Sequence, residues 1–202
     1  MIDADQALAR LKQGNRDFVE QSQARIEIDA ERRSELADTQ SPFAIILGCS
    51  DSRVPAELIF HQGLGNLFVI RVAGNIVAPS QIGSIEFAAE QFGTRLVVVM
   101  GHSRCGAVDA SIKQLQRPSE QRSPNLHSIV SRISPHIEPL LGGSLQDEEA
   151  LLQAAVRANI DASVQQLQHG SEILEQLLKH DGLKIIGAEY DLDSGIVEFF
   201  DD

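Results

Sequence analysis

"RLVVVMG", residues 95–101, carries five apolar side chains in a row, Leu96 to Met100, and closes on a glycine. A strand with one wet face alternates apolar and polar residues, because successive side chains point to opposite sides. An unbroken run is buried on both faces, as in a parallel sheet covered by helices. This stretch therefore predicts a central strand of a parallel sheet. "FAIIL" (43–47), bounded by Pro42 and Gly48, predicts a second such strand. "LFVIRVA" (67–73) and "LKIIGAEYDL" (183–192) predict two more, and the turn "DSG" leads into a last edge strand, "IVEFF".

Helical periodicity fills the intervals. Leu8, Leu11, Asn15, Phe18 and Val19 recur at three- and four-residue spacing and predict a helix over 4–20. A polar stretch, 21–41, follows, with a short helix near 30–37. Helices are also expected over 82–92, 105–117, 125–140, 147–168 and 171–180. The stretch "PHIEPLLGGS" (135–144), with two prolines and two glycines, reads as a loop too short to divide domains. Alternating strands and helices give an α/β fold: a mostly parallel central sheet flanked by helices, an N-terminal helical arm and a C-terminal edge strand. No repeat or linker interrupts residues 1–202, which read as a single domain.

The chain has 202 residues and a net charge of -12. That balance argues against a nucleic-acid partner, which is met by a basic face. No apolar run approaches the roughly 20 residues needed to cross a bilayer. The first residues, "MIDADQALARLKQGNRDF", lack the apolar core of a signal peptide, so a cytoplasmic location is expected. Two cysteines make no disulfide framework.

Those two cysteines sit in matching places. "FAIILGCSDSR" ends a strand at Gly48, then sets Cys49, Asp51 and Arg53 on alternate residues. "VVVMGHSRCG" ends a strand at Gly101, then sets His102 and Cys105 before Gly106. Ligands of open α/β sheets bind beyond the carboxyl ends of the strands. If the two strands are neighbours, Cys49, Asp51, His102 and Cys105 converge. Two thiolates, an imidazole and a carboxylate suit zinc, whereas calcium and magnesium take mostly oxygen. Either cysteine alone reads more simply as a small core residue; the paired arrangement favours a metal site.

With these motifs in view, the sequence resembles the β-class carbonic anhydrases. "CSDSRVPAE", "GLGNLFVIRVAGN", "GSIEFAAEQFG" and "VVVMGHSRCGAV" carry the likeness, extended by "LKQGN" near the start and "IIGAEYDLDSG" near the end. The resemblance implies a lyase that hydrates carbon dioxide to bicarbonate and a proton at a zinc ion. It implies Cys49, His102 and Cys105 as zinc ligands, and Asp51 and Arg53 as a catalytic dyad whose carboxylate either faces the dyad arginine or binds zinc itself. Gln40, Phe68, Phe87 and Gly106 are the substrate-binding positions expected. A homodimer or tetramer is implied, with the N-terminal helix reaching over a second subunit.

Some positions depart from parts of that family. Ile46 stands three residues before Cys49, where one subgroup builds a regulatory bicarbonate pocket on a tryptophan, and this chain has no tryptophan. Arg104 stands between the two later ligands. Two other functions fit the ligand set: a closed structural zinc module without a substrate position, and a zinc hydrolase of another small heterocumulene.

Overall fold

The computed structural model describes residues 2–21, 26, 28–116, 123–142 and 147–200. Among the described residues, five strands form one sheet in the order β2-β1-β3-β4-β5. They are β1 (Ala44–Gly48), β2 (Leu67–Arg71), β3 (Leu96–His102), β4 (Lys184–Tyr190) and β5 (Val197–Phe200). β1 pairs in parallel with β2 and with β3, and β3 in parallel with β4; β5 closes the edge antiparallel to β4. After β1 the chain moves outward to β2 and then returns to the other side of β1 as β3. The order reverses between β1 and β3, where Gly48 lies opposite Met100.

Both faces of the central strands are covered, which accounts for the unbroken apolar runs. Ile45, Leu47, Val97 and Val99 face one way, toward α4 (Pro79–Gln91), α5 (Gly106–Gln116), α6 (Pro124–Leu141), α7 (Glu148–His169) and α8 (Glu172–His180). Ala44, Ile46, Val98 and Met100 face the other way, toward α1 (Ala4–Val19) and the short α3 (Ala56–Ile59). Each fully buried Leu or Ile contributes about 1.5–3 kcal/mol relative to an exposed one, so this double-sided packing is the main cohesive term.

The first helix begins in a capping box, with Asp3 and Gln6 each satisfying the other's backbone N–H. Its apolar stripe, Ala4, Ala7, Leu8 and Leu11, is buried on this chain's own sheet. Gly14 is required by proximity: a Cβ there would lie 1.9 Å from the Phe60 carbonyl oxygen. Asn15 fastens the helix at its far end. Its amide donates to the carbonyls of Ile59 and Gly195, and its Oδ1 accepts from Val197 N–H at 2.9 Å. Beyond α1, α2 (Ala30–Glu35) buries no residue, and Gln40 is exposed.

One expectation needs correction. The expected helix over 125–140 holds, and residues 135–141 are not a loop; α6 runs through Pro135 and Pro139 to Leu141. Both prolines lie on the exposed side, while Ile133 and Ile137 face the core. The carbonyls deprived of an N–H partner therefore face water, which makes proline tolerable there. Residues 143–144 of that expected loop lie outside the described residues. Two short elements were not foreseen: α3, and a 3-10 turn over Ala73–Asn75 where strand β2 had been expected to continue.

Candidate metal centre

The carboxyl ends of β1 and β3, adjacent at the reversal point, bring Cys49, His102 and Cys105 together. Their Sγ, ring nitrogen and Sγ atoms all lie within 4.8 Å of one another, and all three residues are buried. A tetrahedral zinc ion with sulfur and nitrogen ligands holds them about 3.3–3.8 Å apart, so a small contraction suffices.

The backbone around each ligand is specifically held. Gly74, in the left-handed region at φ 69, turns its N–H onto Cys49 Sγ at 3.3 Å. Asn159 from α7 fixes the same glycine through its carbonyl at 2.8 Å. Arg71, at the end of β2, grips the loop after β1. Its Nε donates to the Cys49 carbonyl at 3.0 Å and its Nη2 to the Asp51 carbonyl at 2.6 Å. Cys105 precedes the first turn of α5, and the N–H groups of Ala107 and Val108 favour its ionised form. A helix N-terminus favours a thiolate there.

His102 supplies the clearest sign of a missing partner. Its Nδ1 lies 2.9 Å from the Ser103 carbonyl, which can only accept, so Nδ1 carries the proton. Nε2 then presents a lone pair toward the two sulfurs. It is buried and has no hydrogen-bond partner, a costly state for a polar atom. A divalent cation satisfies it. The thiols point the same way. The Cys105 thiol foremost, with the Gly74 and Asp51 N–H groups, draws Cys49 well below the ordinary thiol range against the opposing effect of burial. The hydrogen bond to Cys49 foremost, with burial and the Cys49 charge, holds the Cys105 proton on. The first proton of the pair leaves readily and the second needs a local positive charge, which a zinc ion provides.

Asp51 lies beside this cluster without joining it. Arg53 Nε and Nη2 form a two-pronged bond to its carboxylate at 2.9 and 2.7 Å, and the Arg53 N–H adds a third contact at 3.0 Å. Those bonds, chiefly the guanidinium's, hold the carboxyl far below its usual range. Its Oδ2 stands 3.9 Å from His102 Nε2, at the rim of the cluster. Of the expected substrate positions, Phe68 packs against the core that contains Cys49 and Cys105. Phe87 meets it at 6.3 Å between ring centroids and is half exposed. Gly106 opens α5 beside Cys105, and a Cβ there would meet nothing within 4 Å. Gln40 is exposed on the connection into β1.

Sequence reasoning missed Arg71, Gly74, Asn159 and Ser103. Arg71 left one trace, a lone charge at the end of an apolar strand; the others act through backbone atoms or from a distant helix.

A family model described as "Carbonic anhydrase" matches residues 44–197. A carbonic anhydrase of Mycolicibacterium smegmatis is 39% identical over 191 residues, covering 93% of this chain and 89% of that protein. Among solved structures, the β-carbonic anhydrase CafA of Aspergillus fumigatus superposes with a TM-score of 0.75 at 25% identity, covering 98% of this chain and 90% of that one. One of two β-carbonic anhydrases of Sordaria macrospora, described as tetrameric, gives 0.72 at 25% identity, covering 84% and 85%. With the ligand cluster at the reversal point and a family match over most of its length, this chain belongs to the carbonic anhydrases, in the β class.

Proposed function

We propose that the protein is a zinc-dependent enzyme for the reversible hydration of carbon dioxide to bicarbonate and a proton. The observation that carries this reading is the unpartnered, buried His102 Nε2 between two sulfurs, beside a carboxylate held off by arginine. Cys49, His102 and Cys105 are the ligands. Bound zinc supplies Lewis acidity, which lets a water molecule act as nucleophile near neutral pH.

The chain's own groups do the rest. Asp51 stays ionised and acceptor-only, so it takes a hydrogen bond from the attacking water and directs a lone pair toward the substrate carbon. Arg53 fixes that carboxylate in two dimensions by its fork geometry and keeps it from swinging onto the metal. Carbon dioxide has no charge and no net dipole, so it suits a wall made of Phe68 and Phe87. Gln40 and Gly106 are the remaining substrate-binding positions of this reading.

The engagement of Asp51 by Arg53 favours an open metal site over a closed four-residue structural site. A homodimer or tetramer is part of the proposal. It is supported by the absence of buried residues in α2, by exposed Gln40, by Phe87 at 50% exposure and by the tetrameric description of the Sordaria relatives. Residues 1–202 are taken as one domain, supported by the single sheet. Among the described residues no helix is long and apolar enough to cross a membrane. A cytoplasmic location is supported by two unpaired thiols suited to a reducing compartment.

Stopped-flow rates on zinc-loaded protein, with carbon dioxide, a small ester and carbon disulfide in parallel, test the substrate assignment. Carbon dioxide should be turned over far faster than the others. A preference for carbon disulfide or the ester would replace the assignment with a hydrolase.

A further inference from the structure

Cys49 Sγ accepts the Gly74 N–H at 3.3 Å, and the turn that presents this N–H is held from a helix distant in the chain. Gly74 and Asn75 both sit in the left-handed region, at φ 69 and φ 43. That conformation is uncommon for a residue with a side chain and persists where its neighbours fix it. The turn is tied at its start to β1. Asn75 N–H donates to the Val72 carbonyl at 3.0 Å, and Val72 N–H donates to the Gly48 carbonyl at 3.1 Å. It is tied at its end by two side chains of α7. Asn159 Nδ2 donates to the Gly74 carbonyl at 2.8 Å, and Ser163 Oγ donates to the Asn75 carbonyl at 3.2 Å. These donors lie four residues apart, on one face of the helix, and both are buried. Ile160, beside Asn159, lies over Gly101 and Gly187, where a Cβ would come within 2.6 and 2.8 Å of it. The helix is therefore seated directly on β3 and β4, and its two donors are held against the strand that ends in His102.

We infer that Asn159 and Ser163 are positioning residues for the metal ligand Cys49: together they clasp the left-handed turn that delivers the Gly74 N–H to its sulfur. The inference rests on the zinc reading above. The link is mechanical, and no charge passes along it. Peptide planes are rigid, so the turn can relax only through φ and ψ. With the Gly48 and Val72 bonds at one end and two helix donors at the other, the turn cannot swing its N–H away without breaking one of them. Removing the Asn159 donor leaves the Gly74 carbonyl buried without that partner, and the turn rotates to recover one. Hydrogen bonding around a ligating cysteine sulfur tunes the metal it holds. Outer partners of metal ligands are worth about 10- to 100-fold in metal affinity.

A second bond from the same helix differs only in place. Gln168 Nε2 donates to the Ile185 carbonyl at 3.1 Å. Ile185 pairs with Val97 near the start of β3, whereas His102 ends that strand. Gln168 therefore serves as the control for a general loosening of α7.

Two measurements on the full-length protein test the clasp: zinc affinity by competition with a chromophoric chelator, and the sulfur-to-cobalt charge-transfer band of the cobalt-substituted protein. Asn159→Ala should weaken zinc by about tenfold or more. It should also move the band to lower energy, because a sulfur that loses an N–H bond gives up its electrons more readily. Ser163→Ala should shift both in the same direction. Gln168→Ala should stay within twofold of wild type in zinc affinity and leave the band in place. An unmoved band in Asn159→Ala, or an equal shift in Gln168→Ala, would overturn the clasp whatever the zinc affinity. If Asn159→Ala does not fold, Ser163→Ala decides by the same criteria. Wild-type protein that fails to bind zinc would overturn the metal reading itself, before any variant is compared.

Discussion

Three side chains and one unpaired nitrogen define the chemistry at the residue scale. Cys49→Ser, His102→Ala and Cys105→Ser should each lower zinc content below one per chain and abolish hydration, because each removes one of the donors that converge within 4.8 Å. Metal analysis after dialysis checks this, and full zinc in two of the three variants would refute the ligand set. Arg53 has a different role and a different expected outcome. Its guanidinium holds Asp51 in two bonds, so Arg53→Ala should retain zinc and lose most activity as the freed carboxylate caps the metal. Zinc content and stopped-flow rate measured on the same sample separate the two effects. A variant with near-normal rate would make Arg53 a surface residue. The two ligand clusters were legible in the sequence because strand, glycine and reactive group follow one another directly at Cys49 and again at His102. Arg71, Gly74 and Ser103 were not: the Arg71 guanidinium grips backbone carbonyls, and Gly74 and Ser103 act through an N–H and a carbonyl, which every residue possesses. Only the fold shows which of these are aimed at the site.

At the scale of elements, a strand pair carries a cost that pH can reveal. Glu189 of β4 lies directly opposite Glu198 of β5. Burial, foremost, raises the Glu189 pKa; Arg157 opposes that shift, while Glu198 and Asp191 add to it. The folded state therefore keeps the Glu189 proton to higher pH than the unfolded chain does. Below the unfolded value, about 4.3, the group is protonated in both states and costs nothing. As pH rises from there through the folded value, the unfolded state is favoured and stability falls. Glu189→Gln should accordingly raise the melting temperature at pH 7.5, with the gain vanishing at pH 4. Thermal melts at the two pH values check this, and a variant that melts lower at both would contradict it. The strands themselves were readable because β1 and β3 are buried on both faces, leaving unbroken apolar runs. The extent of α6 drew two readings, a helix over 125–140 that holds and a loop from 135 that does not, because Pro135 and Pro139 break helices by local rule and are tolerated here only through their exposed placement. Strand β2 stops at Arg71 rather than at residue 73 because the 3-10 turn takes over to deliver Gly74 to Cys49.

For the whole molecule, a sheet buried on both faces stands beside surfaces that this chain leaves uncovered. The first helix is fastened to its own sheet by Asn15, yet α2 buries nothing, and the aromatic group of Phe68, Phe87 and Phe92 leaves Phe87 half exposed. A second copy of the chain is the proposed cover for these surfaces, so light scattering at working concentration should give at least a dimer. A fully active monomer would refute a shared site. The central claim is that zinc held by Cys49, His102 and Cys105 makes this scaffold a carbon dioxide hydratase. Its most direct test is the stopped-flow rate of carbon dioxide hydration before zinc is stripped by a chelator, after stripping, and after one equivalent is restored. The expected result is fast hydration that falls to the buffer rate on stripping and returns with the metal. Hydration at the buffer rate in folded protein carrying one zinc per chain would contradict it.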